Sequence, residues 1–282
     1  MLPESFSFSQ ASLQDFVACP RRFQLRYLLR LRWPAAEVEP IEEHERRMMM
    51  GRTFHQMVQQ QHLGVPESRI ERGASDPDLL RWWQNYCVYR PVTSFSGDAA
   101  SASARSEVTL SATIARYRLV AMYDLIVVEP GKRAVILDWK TSDTRTSEAI
   151  LRERMQTRIY PYLLVQVGAA LNCGQLIRPE MVEMIYWFPA FPDAPARLPY
   201  DADHFSRDGA FLEQLIERIA DMEEDDFCLT SDLRQCEYCI YRSFCDRGIA
   251  AGNLDDVTAA YELQEGDVEV DIDFEQIAEI EF

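Results

Sequence analysis

The chain has 282 residues, 47% of them apolar and 11% aromatic, enough for a sizeable core and too apolar for wholesale disorder. No run of about 18 apolar residues occurs, which excludes a transmembrane helix. The opening MLPESFSFSQASLQDF has neither a basic leader nor an apolar signal stretch, so a cytoplasmic protein with reduced thiols and no membrane partner is expected.

The net charge of −17 is unevenly placed: residues 253–282 hold eleven acidic residues and no Lys or Arg, leaving −6 for the rest. Eight arginines (21, 22, 26, 30, 32, 46, 47 and 52) fall in the first 52 residues, a basic end able to meet phosphate.

In chain order, residues 9–31 predict a helix, with Ser9 as N-cap and Leu13, Phe16, Val17, Phe23, Tyr27 and Leu28 at helical spacing. A linker with two prolines follows at 33–43. Helices are expected at 44–62 and 78–89, then a small, polar loop at 94–106. The period changes to that of strands at 107–114, 116–128 and 133–140, with a turn at Pro130-Gly131. A long helix is expected at 146–171 and a strand at 181–188, with a Pro-rich loop through 199. A helix at 207–224 precedes a cysteine-rich knot. Helices flanking a small central mixed sheet make this an α/β (α+β) chain. Residues 267–275, DVEVDIDFE, alternate like a half-buried strand. The pattern suits a charge-protected edge strand, or a segment that adds to a partner's sheet or covers a basic cleft.

The sharpest chemical signal is Asp124 and Asp138 on adjacent strands, with Lys140 two residues beyond. Alternate strand residues share a face, so Asp138 and Lys140 point one way, Leu137 and Trp139 the other. A three-residue loop at Pro130-Gly131-Lys132 sets Asp124 opposite Asp138; a two-residue loop would put them on opposite faces. Converging carboxylates form a hard oxygen site for Mg²⁺ or Mn²⁺, and an ammonium beside it can neutralise charge developing on a phosphodiester.

These motifs resemble those of RecB-type PD-(D/E)XK nucleases. VILDWKTSD resembles the strand that ends in Asp-Tyr-Lys-Thr. AMYDLIVV resembles the Gly-x-x-Asp strand, with Ala121 where glycine is usual. GRTFHQMVQQ resembles the Gly-x-x-x-His helix, and the resemblance implies that Gly51 and His55 correspond, His55 as a metal ligand. Glu107 matches the acidic residue ahead of the metal motif. Gln156 and Tyr160 match the Gln-x-x-x-Tyr motif, which in the family faces the cleft and contacts the DNA strand. A restriction-endonuclease-like core over about residues 44–200 is implied.

Seven cysteines are present: 19, 87, 173, 228, 236, 239 and 245. The Cys236-x2-Cys239-x5-Cys245 run is compact enough to serve one metal centre. Its fourth ligand could be Cys228 or Cys19, and the spacing from Cys228 fits no common zinc knuckle. The triplet and the stretch around Cys19 resemble the iron–sulfur staple of AddB and of CRISPR adaptation nucleases. That resemblance implies a 4Fe-4S cluster on Cys19, Cys236, Cys239 and Cys245, with Zn²⁺ as the alternative, and places Arg21 and Arg22 near DNA. Cys87 and Cys173 read as core residues.

The expectation is thus one nuclease domain over residues 1–252, its two ends joined by a metal cluster, with an acidic tail at 253–282. The resemblance implies metal-dependent hydrolysis of DNA at single strands or splayed ends, beside a helicase or another protein partner, in repair, recombination or defence. The rivals are a non-catalytic DNA-binding or scaffolding subunit and a zinc-stabilised protein-interaction module.

Overall fold

The computed structural model describes residues 2–31, 41–89, 103–142 and 144–252. The strands are β1 (Ser7–Ser9), β2 (Ser103–Ile114), β3 (Tyr117–Glu129), β4 (Arg133–Trp139), β5 (Val182–Trp187) and β6 (Ala196–Pro199). They form one mixed sheet in the order β1-β3-β4-β5-β6, with β2 also paired to β3. The longer helices are α1 (Gln10–Ala18), α3 (Ile41–His62), α5 (Pro77–Tyr89), α7 (Met155–Val167) and α8 (Ala202–Ala220). Short ones are α2 (Pro20–Phe23), α4 (Glu67–Glu71), α6 (Glu148–Glu153), α9 (Arg234–Glu237) and α10 (Arg242–Cys245). The expected α/β class, helices around a mixed sheet, is what the chain forms.

Helices cover both faces of the sheet. On one face Phe54 of α3 and Trp82, Trp83 and Tyr86 of α5 pack on Val135, Leu137, Trp139, Ile185 and Trp187. On the other, Leu13 and Phe16 of α1, Ile159 and Leu163 of α7 and Leu212 and Ile216 of α8 pack on Ala134, Ile136, Met184 and Tyr186. This explains why β4 is an almost unbroken apolar run: it pairs in parallel with β5, and both its faces are covered.

β2 and β3 form a hairpin closed at Ile114 and Tyr117. Ala115 and Arg116 both have positive φ, 44° and 65°, as a two-residue turn with the twist of its strands requires. β3 and β4 close at Glu129 and Arg133, leaving the expected three-residue loop, in which Gly131 has φ 72°. β2 follows one edge of β3 from residue 117 to 128. The other edge is shared: β1 pairs with residues 118–120 and β4 with 125–129. Residues 121–124 lie between these two partners. There the alternation of β3 also breaks: Leu119, Ala121 and Tyr123 face one layer, whereas Leu125 and Val127 face the other.

Several boundaries differ from the sequence expectation. The helix over 9–31 is interrupted at Cys19, which is extended (φ −162°, ψ 106°) ahead of Pro20. Proline disfavours the helical region for the residue before it and starts a new helix well. A π-helical turn at Gln24–Leu28 follows. The helix over 146–171 is split at Arg154 (φ −69°, ψ 142°) and ends in a 3-10 turn at Gly168–Asn172. The loop expected through 199 closes with β6, and α8 begins early because the Asp201 side chain accepts from His204 N–H and caps it. β2 starts at Ser103, inside the expected 94–106 loop, and the rest of that loop, most of the 33–43 linker and the 267–275 strand lie outside the described residues. Cys173 is exposed rather than buried, and ends the 3-10 turn in the left-handed region; Cys87 is half-buried against the aromatic layer.

Phe54 carries the docking of α3 onto the sheet: it is fully buried, with its ring stacked 6.2 Å from that of Trp187. Phe54→Ala is expected to lower unfolding stability by about 3–5 kcal/mol, read from denaturant titration.

Candidate active site

The site forms where the alternation of β3 breaks. Ser106 lies opposite Leu125 and Val108 opposite Tyr123, so Glu107 falls opposite Asp124. Leu125 lies opposite Leu137, so the next step sets Asp124 opposite Asp138. Three carboxylates thus stand in a row across β2, β3 and β4. Glu107 adopts φ 54°, a conformation uncommon for a side-chain-bearing residue and costly enough to mark a functional position.

α3 supplies the imidazole. His55 Nδ1 lies 3.3 Å from Asp124 Oδ1, while Asp124 Oδ2 accepts the Trp139 backbone N–H at 2.9 Å. Gly51, one helical turn earlier, makes this approach possible. A Cβ added there would lie 2.7 Å from Thr141 Oγ1, closer than any ordinary contact. The missing side chain therefore lets α3 settle against the segment after β4. This is a packing reason for Gly-x-x-x-His: the glycine sets the approach, and i+4 returns the histidine to the same face.

Asp138 belongs to the other layer. One of its oxygens lies 2.9 Å from Lys140 Nζ, and the other accepts from the Gln156 side-chain amide at the start of α7. Asp138 and Lys140 are both nearly buried, 3% and 6% exposed. Lys140 Nζ also sits 5.6 Å from the centre of the Tyr186 ring. The Tyr186 hydroxyl meets Thr157 Oγ1 at 2.7 Å and Gln156 Oε1 at 3.4 Å.

Burial and mutual charge shift every acid here. Burial works against the His55 imidazolium, but the Asp124 carboxylate, its hydrogen bond and Asp138 outweigh that and raise the pKa to about 9. Burial, then the charge of Asp124, lifts Glu107 to about 7. Burial raises Asp138 to about 6, against the pull of Lys140. Asp124 is held below the ordinary carboxylate range: burial is outweighed by His55 and the Trp139 N–H. Groups displaced this far, in opposite directions, at one place mark a candidate functional site.

Donor atoms from His55, Glu107 and Asp124 all lie within 4.8 Å of one another. Two carboxylates and one imidazole suit Mn²⁺ or Mg²⁺. The structure therefore brings together His55, Asp124 and Glu107, with Asp138 and Lys140 adjoining. The four expected DNA contacts, Gln156, Tyr160, Arg21 and Arg22, all have partners within the fold, Gln156 through Asp138. Tyr160 is 3% exposed, its ring 4.6 Å from that of Tyr123 and its carbonyl accepting from the Tyr123 hydroxyl. Arg22 is buried in an ion pair with Asp15 at 2.8 Å. Arg21 donates to the Gln24 side chain. Much of the basic end is likewise paired internally, Arg26 with Asp15 and Arg46 with Asp76 and Asp78. The tyrosine and arginines are held by the fold because a buried polar group needs a partner.

A family model of the PD-(D/E)XK nuclease superfamily matches residues 7–246. The chain belongs to that superfamily. Its mixed sheet flanked by helices is the restriction-endonuclease-like fold of these nucleases. Among solved structures, the chain is similar to a Eubacterium rectale protein provisionally named an exonuclease, at 11% identity and TM-score 0.52, covering 89% of this chain and 92% of that one. It also aligns with SSO0001 at 14% identity and TM-score 0.37, covering 89% and 90%. No curated protein matches the chain.

Four of the seven cysteines converge. Cys19, Cys236, Cys239 and Cys245 line one pocket with Arg22 and Arg247, and Arg247 Nη1 lies 3.6 Å from Cys236 Sγ. Cys228 is exposed, outside that pocket. The two ends are tied by Tyr241 O–H donating to Leu31 O at 2.8 Å, Gln24 donating to Glu224 O at 2.7 Å and Arg21 N–H donating to Cys228 O at 3.1 Å. Burial pushes the Cys239 thiol up to about 11 and raises Cys245 as well.

A cation can bind His55, Glu107 and Asp124 only after the imidazolium and the carboxylic acid lose their protons. Mn²⁺ affinity is therefore expected to rise by about tenfold per unit between pH 7 and 8, from His55, and more steeply below pH 7, where Glu107 also titrates. Calorimetric titration at pH 6, 7 and 8 checks this. A pH-independent affinity would contradict the assignment.

Proposed function

We propose that the protein is a metal-dependent deoxyribonuclease that trims DNA from single-stranded or splayed ends. The observation that carries this reading is the row Glu107–Asp124–Asp138 with His55 and Lys140 attached, inside a nuclease fold. We read residues 1–252 as the nuclease unit and DNA as its substrate. A helicase or other protein partner fits the same reading. The Eubacterium rectale relative's exonuclease name points the same way.

A divalent ion at the Glu107, Asp124 and His55 donors, next to Asp138, would supply Lewis-acid activation of water and stabilise charge on the phosphate. Lys140, held 2.9 Å from Asp138, is placed to hold the attacking water and to neutralise charge on the phosphate oxygens. Asp138, raised to about 6, is ionised above that pH and can orient both. Gln156 positions Asp138 through its amide. Trp139 N–H and His55 do the same for Asp124. Cleavage of end-labelled single- and double-stranded DNA with Mn²⁺ or Mg²⁺ tests the reading. Asp138→Ala and Lys140→Ala are expected to reduce the rate by about a hundredfold or more. Unchanged cleavage in both would refute it; no wild-type cleavage with either ion would favour a scaffolding subunit.

We read the four clustered cysteines as ligands of an iron–sulfur cluster. Arg22 and Arg247, which line the same pocket, suit an anionic cluster. The purified protein should be brown, with iron and acid-labile sulfide in equal amounts, and Cys19→Ser should lose both. Zinc in their place would refute the cluster.

A further inference from the structure

The junction of α6 and α7 holds a charge that the site described above does not use. Arg154 is 6% exposed, and its Nε and Nη2 are buried without a hydrogen-bond partner. Among the described residues no carboxylate pairs with it, whereas its cationic neighbours are matched. Arg158 lies 3.1 Å from Asp208, and Lys140 lies 2.9 Å from Asp138. Arg154 is also the N-cap residue of α7, a 13-residue helix, where the positive end of the helix dipole opposes a second positive charge. An unpaired cation, buried and at a helix N-terminus, is doubly unfavourable. An anion arriving there would relieve both costs.

Its position relative to the active site decides which anion. Gln156, two residues on, grips Asp138. Thr157 meets the Tyr186 hydroxyl at 2.7 Å. Lys140 lies against the ring of that same tyrosine and is neutralised by Asp138, whereas Arg154 has no such partner. A guanidinium presents a planar fork matched to two phosphate oxygens.

We propose that Arg154 seats a backbone phosphate of the DNA strand, next to the phosphate being cut, and so fixes the strand's register over the metal ligands. This inference rests on the nuclease reading above. It assigns Arg154 a part expected of Tyr160 and Arg22, which already have partners within the fold, Tyr123 and Asp15.

The test measures binding apart from cleavage, with labelled oligothymidylate and Ca²⁺ in place of Mg²⁺, over a series of salt concentrations. Arg154→Met is expected to weaken binding by about tenfold or more and to reduce the slope of log affinity against log salt by about 0.7, the share of one single-strand phosphate. Arg154→Lys should keep the slope and lose part of the affinity, because the charge remains and the fork does not. Without DNA, Arg154→Met should melt no lower than wild type. Wild-type binding with an unchanged slope in Arg154→Met overturns the phosphate seat and leaves the nuclease reading intact. A lower melting temperature or failure to fold in Arg154→Met without DNA marks a structural role and also overturns it. A wild-type protein that binds no oligonucleotide overturns both readings together.

Discussion

The arrangement depends on keeping three carboxylates close together in a place with little water. Like charges that near raise one another's pKa, and burial adds to it. The molecule answers by giving each acid a different partner. Asp124 has His55 and a backbone N–H, Asp138 has Lys140 and Gln156, and Glu107 is left raised to about 7. The acids are thereby driven apart in proton affinity although they sit on three adjacent strands. This is the electrostatic condition a hard cation satisfies when it displaces the protons.

Those partners come from opposite sides of the sheet. His55 rides on α3, in the aromatic layer with Phe54 and Trp187. Gln156 rides on α7, in the layer with Ile159, Tyr160 and Leu163. The two layers can meet at one point because β3 changes phase between Tyr123 and Leu125 and is paired there with neither β1 nor β4. An unbroken pleat would show these groups to different faces. The break in the sheet and the conjunction of the two helices are one geometric fact.

Much of this was legible in residue spacing. The three-residue loop at 130–132 implied Asp124 opposite Asp138, and the two-period pattern of β4 placed Lys140 beside Asp138. The motif strings single out His55 and Gln156, which the fold brings to Asp124 and Asp138. What was not legible depended on distant partners. Only the resemblance puts Tyr160 in the cleft; helical spacing is equally met by a buried tyrosine, and it does not reveal that Tyr123 covers this one from another strand. The resemblance likewise puts Arg21 and Arg22 near DNA, while Asp15 and Gln24, which hold them, look like ordinary helix residues. Arg154 left no signal, since its isolation follows from what fails to pack near it. The split of the first helix at Cys19 was written in the following proline, and only the strong apolar spacing obscured it.

The sheet is completed by some of the first residues of the chain. β1 must wait for β3, which begins 110 residues after it starts, and the segment around Cys19 must wait for its contacts at Cys228 and Tyr241. At a synthesis rate of about 5–20 residues per second, that delay is roughly 10–40 s. Through it Phe8, Leu13, Phe16 and Phe23, all destined for the core, have nowhere to be buried. Until those partners are made, the aromatic leading segment is a natural client for a chaperone.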